Sequence, residues 1–169
     1  HRQLSRNNDD LIVIQVNDGI KFSPAGEMLA LVGPKGASLW TVRSDGSDLQ
    51  KLIIGSSTIE HVQGHQCWQG KYNRVITAMH RRKTDKEPWV QDCIMSIAPG
   101  DAKPHIIAEG EGFTHIHCTA DGKYWVADCN RTGRIYVGSC DTGRYRLLAE
   151  SDASFGCAKE THPHTCLIG

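Results

Sequence analysis

Apolar and polar positions change over in short steps along this chain. Short runs rich in apolar and β-branched residues alternate with turn signals, and helical periodicity is hard to find. The turns include Asn17-Asp18-Gly19, Ser23-Pro24-Ala25-Gly26, Asp45-Gly46, Pro99-Gly100-Asp101, Asp121-Gly122-Lys123 and Asp141-Thr142-Gly143. This pattern predicts many short antiparallel strands and an all-β fold.

The runs repeat. Ala25-Gly26-Glu27, Gln69-Gly70-Lys71 and Asp121-Gly122-Lys123 align as equivalent turns, 44 and 52 residues apart. Each follows one strand and precedes another, at residues 28–32, 74–79 and 124–127. A further strand comes next, at 38–42, 90–97 and 134–138. A last short strand ends in Lys51-Leu52-Ile53-Ile54, His105-Ile106-Ile107-Ala108 or Arg146-Leu147-Leu148-Ala149. Four strands per unit at this spacing is the rhythm of a β-propeller blade. The matching of all four strands favours a propeller over a β-sandwich, which also has short strands at regular spacing. The blade units fall at about 17–56, 60–109 and 112–150. Residues 11–16 read as the last strand of a preceding blade, and residues 161–169 as the first strand of a following one. About three and a half blades is an incomplete propeller. The reading is therefore a piece of a longer propeller, or a protomer that closes by self-association, because an open array leaves sheet faces and edges uncovered.

Composition narrows the class. Lys+Arg and Asp+Glu both total 19 in 169 residues. That balance gives no footing for a nucleic-acid partner. The longest apolar runs, such as Leu11-Ile12-Val13-Ile14, are too short to span a membrane. The chain opens at His1 without an initiator Met, so its start reads as processed or excised. Seven cysteines, an odd number with no C-x-x-C pair, fit neither a disulfide framework nor a zinc ribbon. They read as small buried hydrophobes in a reduced, intracellular setting.

Candidate chemistry lies in two Thr-His-x-His segments, Thr114-His115-Ile116-His117 and Thr161-His162-Pro163-His164. On a strand, alternate side chains share a face, so the two histidines of each pair point the same way. The first strand of a propeller blade is innermost, and these segments occupy that place. Counting back five residues from the turn glycines aligns Lys21, His65 and His117, and the motif match adds His164. Two residues earlier lie Gly19, Gln63, His115 and His162. Four imidazoles on inner strands suit a transition metal such as Zn, Cu, Fe or Ni, with Mn if oxygen ligands join. His65 reads as a ligand, a base or a filler. His61 and His80 read as hydrogen-bonded fillers. Cys118 and Cys166 have the opposite parity to the histidines and read as core.

At these residues the chain resembles a known family. The segment Phe22-Ser23-Pro24-Ala25-Gly26-Glu27, with Leu39-Trp40 and Asp45-Gly46, is similar to the Ser-Pro-Asp-Gly repeats of TolB-like propellers. Gly64-His65-Gln66-Cys67-Trp68, the segment ending Phe113-Thr114-His115-Ile116-His117, and Thr161-His162-Pro163-His164 resemble, in that order, the oligogalacturonate lyases. Those are seven-bladed propellers that cleave pectin oligomers. The resemblance runs from about Phe22 to Gly169 and corresponds to the middle of such an enzyme.

The resemblance implies a Mn-type divalent ion held by His162 and His164 with His115 or His117. It implies His65 as a catalytic residue, an acidic oligosaccharide as substrate and a cytoplasmic location. Two positions depart from the family. Lys159 stands where a glutamine ligand is expected, with Glu160 beside it as an alternative oxygen ligand. Ser38 stands where an arginine is expected. A uronate lyase removes the proton α to a carboxylate and expels the glycosidic oxygen, so it needs a base and a cation near the carboxylate. His65 meets the first need and the four motif histidines, through a metal, the second. Lys21 or Lys159 would bind a substrate carboxylate as a point charge. The alternative function is a non-catalytic TolB-like propeller acting as a binding or interaction scaffold.

Overall fold

The structure is a computed structural model that describes residues 2–4, 9–22, 28–54, 60–81, 84, 86–87, 90–129 and 131–151. Every regular element among them is a β-strand. No helix among them is long and apolar enough to cross a membrane. The architecture is an incomplete β-propeller built from four-stranded antiparallel sheets.

The clearest blade is the last. Strands β9 (Ile116–Cys118), β10 (Tyr124–Cys129), β11 (Arg134–Ser139) and β12 (Tyr145–Glu150) form a separate sheet in the order β12-β11-β10-β9. Consecutive strands are neighbours throughout, as in a meander. The middle blade repeats the plan with β5 (Glu60–Trp68), β6 (Val75–Arg81), β7 (Val90–Ile97) and β8 (His105–Glu109). Before it lie β1 (Arg2–Leu4), β2 (Leu11–Phe22), β3 (Met28–Arg43) and β4 (Gln50–Lys51), paired in chain order. A single residue pair, Ala37 with Val62, joins this sheet to the middle blade.

The middle blade is buried on both faces, and its sequence shows why. Val75, Ile76, Thr77, Ala78 and Met79 of β6 are all buried, as are residues 93–97 of β7. Alternate side chains point opposite ways, so each face needs apolar residues and the in–out alternation of a half-wet strand disappears. Trp68, Val75, Met79, Cys93, Met95 and Ile97 pack on Leu11, Val13, Leu39 and Leu52 of the first sheet. Cys67, Ile76, Ala78 and Ile94 pack on Phe113, Ile116, Cys118, Trp125 and Tyr136 of the last blade. The outermost strand β12, by contrast, is largely exposed. The five cysteines among the described residues, Cys67, Cys93, Cys118, Cys129 and Cys140, are free and buried, in keeping with their reading as small hydrophobes. The Sγ atoms of Cys118 and Cys140 lie 3.8 Å apart, and this contact, with burial, pushes the Cys140 thiol well above its usual range.

The first sheet departs from expectation. Residues 28–32 and 38–42 form one long strand, β3, rather than two. Residues 11–16, expected at the outer edge of a preceding blade, are continuous with 17–22 and pair with Ser38 to Arg43. The turn-like stretch between the expected strands becomes a bulge: Leu31 pairs with Ile20 and Gly36 with Asp18, so residues 32–35 stand opposite Gly19 alone. Pro34 lies in that bulge, where its missing N–H costs no ladder hydrogen bond. Leu11 and Val13 drive the pairing, because they bury against Leu39 across it.

Two of the aligned turn glycines meet in space; the third, Gly26, lies outside the described residues. Gly70 and Gly122 have φ of +56° and +76°, and a side chain on Gly70 would run into the backbone of Ala120 and Gly122. Gln69 Nε2 donates to Gly122 O at 3.3 Å across the same junction. Gly46 also has positive φ, +86°, but open space around it. Gly46→Ala should therefore cost about 1–2 kcal/mol, the left-handed penalty alone. Gly70→Ala should cost clearly more, because two blades must also separate. Equilibrium urea denaturation of the two variants checks the order.

Candidate functional site

The site is built where the first strands of the middle and last blades meet. The segment that leads into β9 is Gly110-Glu111-Gly112-Phe113-Thr114. Its first three residues all have positive φ, of 106°, 58° and 64°. Glycine takes that geometry freely, and Glu111 is held in it by a hydrogen bond that Tyr136 Oη donates to Glu111 Oε2 at 2.7 Å. Tyr145 Oη donates to Glu109 O at 2.9 Å. Phe113 is fully buried at the centre of an aromatic cluster. Its ring lies 5.3 Å from Trp125, 5.8 Å from Tyr136 and 5.3 Å from Tyr145, each edge to face. This anchor sets the position of the next residues, Thr114 and His115.

His115 is buried and lies opposite Asp128 of β10, a residue with no exposed surface. Its ring Nδ1 sits 3.1 and 3.0 Å from the two Asp128 carboxylate oxygens. Its backbone N–H donates to Asp128 Oδ1 at 3.1 Å. The ring of His65, from β5, meets the His115 ring with centroids 4.2 Å apart and planes at 70°. His117, half-buried, pairs with Val126 two residues further along β9.

The contact between His65 and His115 corrects the alignment made by counting from the turns, which set His65 level with His117. The cause lies in the turns: Trp68 pairs with Val75 and Cys118 with Trp125, so the matching strand ends are 50 residues apart, whereas the turn glycines are 52 apart. Strand β5 also carries a β-bulge. Gly64 pairs with Ala78 and Cys67 with Ile76, so His65 and Gln66 together oppose Thr77. His65 takes up the extra residue with φ of +55°, a left-handed conformation rare for a non-glycine residue. Bulges re-aim side chains, and strained residues concentrate at functional sites. Gln66 beside it is buried, and neither its amide nitrogen nor its amide oxygen has a hydrogen-bond partner among the described residues.

The other residues singled out in the sequence have places on the strands or lie outside the described residues. Lys21 lies on β2 opposite Ala30. Lys159, His162 and His164 lie outside the described residues, as does Glu160. Ser38, where the resemblance calls for an arginine, is buried; Trp40 Nε1 donates to its hydroxyl at 3.1 Å, and the hydroxyl donates to Val16 O at 3.5 Å. It serves the sheet. His61 pairs across the ladder with His80. Asp128 was not singled out by sequence reading. Its only signal is an acid in the apolar run Tyr124-Trp125-Val126-Ala127-Asp128-Cys129, where a buried carboxylate demands a partner.

The fit to a metal can be judged from the donors. Among the described residues, no group of three or more His, Cys, Asp or Glu side chains is placed to hold an ion. The His115–Asp128 contact is nevertheless the arrangement that supports ligating histidines, a carboxylate on one ring nitrogen leaving the other to bind. His115 and His117 therefore suit the role of partial ligand set, and a complete set needs further donors.

A separate cleft of about 630 Å³ lies by the turns after β5, β7 and β11, lined by Gln69, Arg74, Ser96, Asp101, Lys103 and Asp141, among others. Its polar groups are largely engaged with one another. Arg74 reaches Asp101 at 2.9 Å and Ser96 Oγ at 2.9 Å, and Ser96 Oγ donates to Gln69 at 2.7 Å. The Ala98 N–H and then Arg74 hold the Asp101 carboxyl below its usual range.

No protein-family model matches this chain, and no curated protein does. Among solved structures, an oligogalacturonate lyase in complex with manganese is similar, with a TM-score of 0.62 and 15% sequence identity. The likeness shows the fold. It covers 94% of this chain and 38% of the other, so the chain spans well under half the length of that protein.

Two outcomes test the site's surroundings. Burial, with the hydrogen bond to Glu111, pushes the Tyr136 phenol from 10.0 up to about 12. Because the folded state holds that proton more tightly, its contribution is complete below pH 10 and is lost as pH rises towards 12. Stability measured by urea denaturation should fall across that window, and Tyr136→Phe should remove part of the fall. Gln66→Leu relieves a buried amide with no partner among the described residues, so it should leave stability unchanged or raise it, by up to about 3 kcal/mol. A clear loss of stability would show that the amide is satisfied in solution.

Proposed function

We propose that this chain carries the reacting site of a lyase that cleaves acidic oligosaccharides of the oligogalacturonate class by β-elimination. The carrying observation is the cluster in which His65 of one blade abuts His115 of the next, with the buried Asp128 carboxylate behind it. The fold it shares with an oligogalacturonate lyase in complex with manganese supports the same reading.

In this reading His65 is the general base. A neutral imidazole is suited to take the proton from the carbon α to a uronate carboxylate near neutral pH. His115 and His117, with His162 and His164, would hold a divalent cation, manganese. That cation would supply positive charge to the substrate carboxylate. Lys21 and Lys159 attract the same acidic substrate as point charges. The enzyme works in the cytoplasm, and further chain or a second copy closes the propeller.

The test is direct. β-Elimination leaves a conjugated, unsaturated uronate at the new end, which absorbs in the ultraviolet. Oligogalacturonate with added Mn2+ should give a steady absorbance rise. His65→Ala should slow it by about 10²–10⁴-fold, the usual worth of a general base. No rise in a protein shown to be folded would overturn the lyase reading and favour a non-catalytic scaffold.

A further inference from the structure

We propose that Asp128 is a positioning residue that fixes the tautomer and orientation of His115 and, through the His115 ring, the placement of His65. Its value to catalysis rests on the reading of this cluster as the reacting site. The main chain at this point does not need an acid. Asp128 N donates to His115 O at 3.2 Å and Thr114 N to Asp128 O at 2.8 Å, and any residue could keep both bonds. The carboxylate nevertheless sits there with no exposed surface. A buried charge is retained only where something pairs with it.

What pairs with it is His115, twice. The carboxylate takes the backbone N–H at 3.1 Å and faces ring Nδ1 at 3.0 and 3.1 Å. An ionised carboxylate only accepts hydrogen bonds, so the proton of a neutral ring lies on Nδ1 and the lone pair on Nε2. Two anchor points on one residue hold both its backbone and its ring plane. The edge contact at 4.2 Å then gives His65 a fixed surface to stand against, at a bulge where its backbone is left-handed. Asp128 itself touches no reacting atom in this arrangement.

The experiment uses the full 169-residue chain labelled with 15N, without metal or substrate. Long-range proton–nitrogen correlations distinguish a protonated ring nitrogen from a bare one. Wild-type His115 should carry its proton on Nδ1. In Asp128→Asn one amide oxygen still serves the backbone N–H, so the amide NH2 faces the ring. The His115 proton should then move to Nε2, as an Asn for Asp swap does in other His–Asp pairs. The same variant should lower kcat on oligogalacturonate by about 10–100-fold with KM little changed.

A wild-type His115 protonated on Nε2 overturns the proposal, even if the variant fails to fold. So does an Asp128→Asn protein in which the tautomer stays the same. The expected tautomers in a protein that shows no lyase activity would keep the orienting role of Asp128 and remove only the lyase reading.

Discussion

Face-to-face packing of the sheets is the constraint on which the rest of the structure depends. The middle blade has a neighbour on each side, so both faces of β6 and β7 are dry. One face meets Leu11, Val13 and Leu39, and the other meets Phe113, Ile116 and Trp125. This double burial explains the nearly continuous apolar run from Val75 to Met79. It also explains the glycine at position 70: where the turns of the two blades meet, the sheets approach so closely that a methyl group on Gly70 would strike the backbone of Ala120 and Gly122. A single blade removed from this stack would expose two apolar faces, which is why propeller units are stable only in company.

The same packing makes the histidine cluster. His65 and His115 are 50 residues apart in sequence, but the first strands of adjacent blades bring them into edge contact. Three local devices then set the geometry. The aromatic cluster around Phe113 anchors the start of β9. The bulge at His65 and Gln66 turns a side chain that regular pleating would place elsewhere. The Asp128 carboxylate holds the His115 ring from behind. The left-handed backbones of His65 and Glu111, and the Gln66 amide with no partner among the described residues, gather within a few residues of these imidazoles.

Much of the fold was legible in the sequence, because repeated turn glycines and repeated strand lengths are one-dimensional signals. The two four-stranded meanders from β5 to β12 follow the repeat closely. The first sheet was harder to read. Gly33-Pro34 looks like turn punctuation, yet both halves of β3 pair along the single strand β2. The histidines were legible as candidates through their residue type and strand spacing. Their grouping was only partly so, because counting from the turn glycines assumes equivalent turns, and Gly70 comes two residues after the end of its strand where Gly122 comes four after. Asp128 carries no motif; its meaning comes from the ring opposite.

By itself, the sequence determined the all-β class, the blade rhythm and the strands on which His65, His115 and His117 lie. These follow from local preferences, since turn chemistry and the two-residue period of a strand act over a few neighbouring residues. Only the tertiary structure decided that His65 meets His115 rather than His117, that Asp128 stands behind it, and that Ser38 serves the sheet. Those outcomes depend on register and on contact between blades, which arise from the packing of side chains distant in the chain.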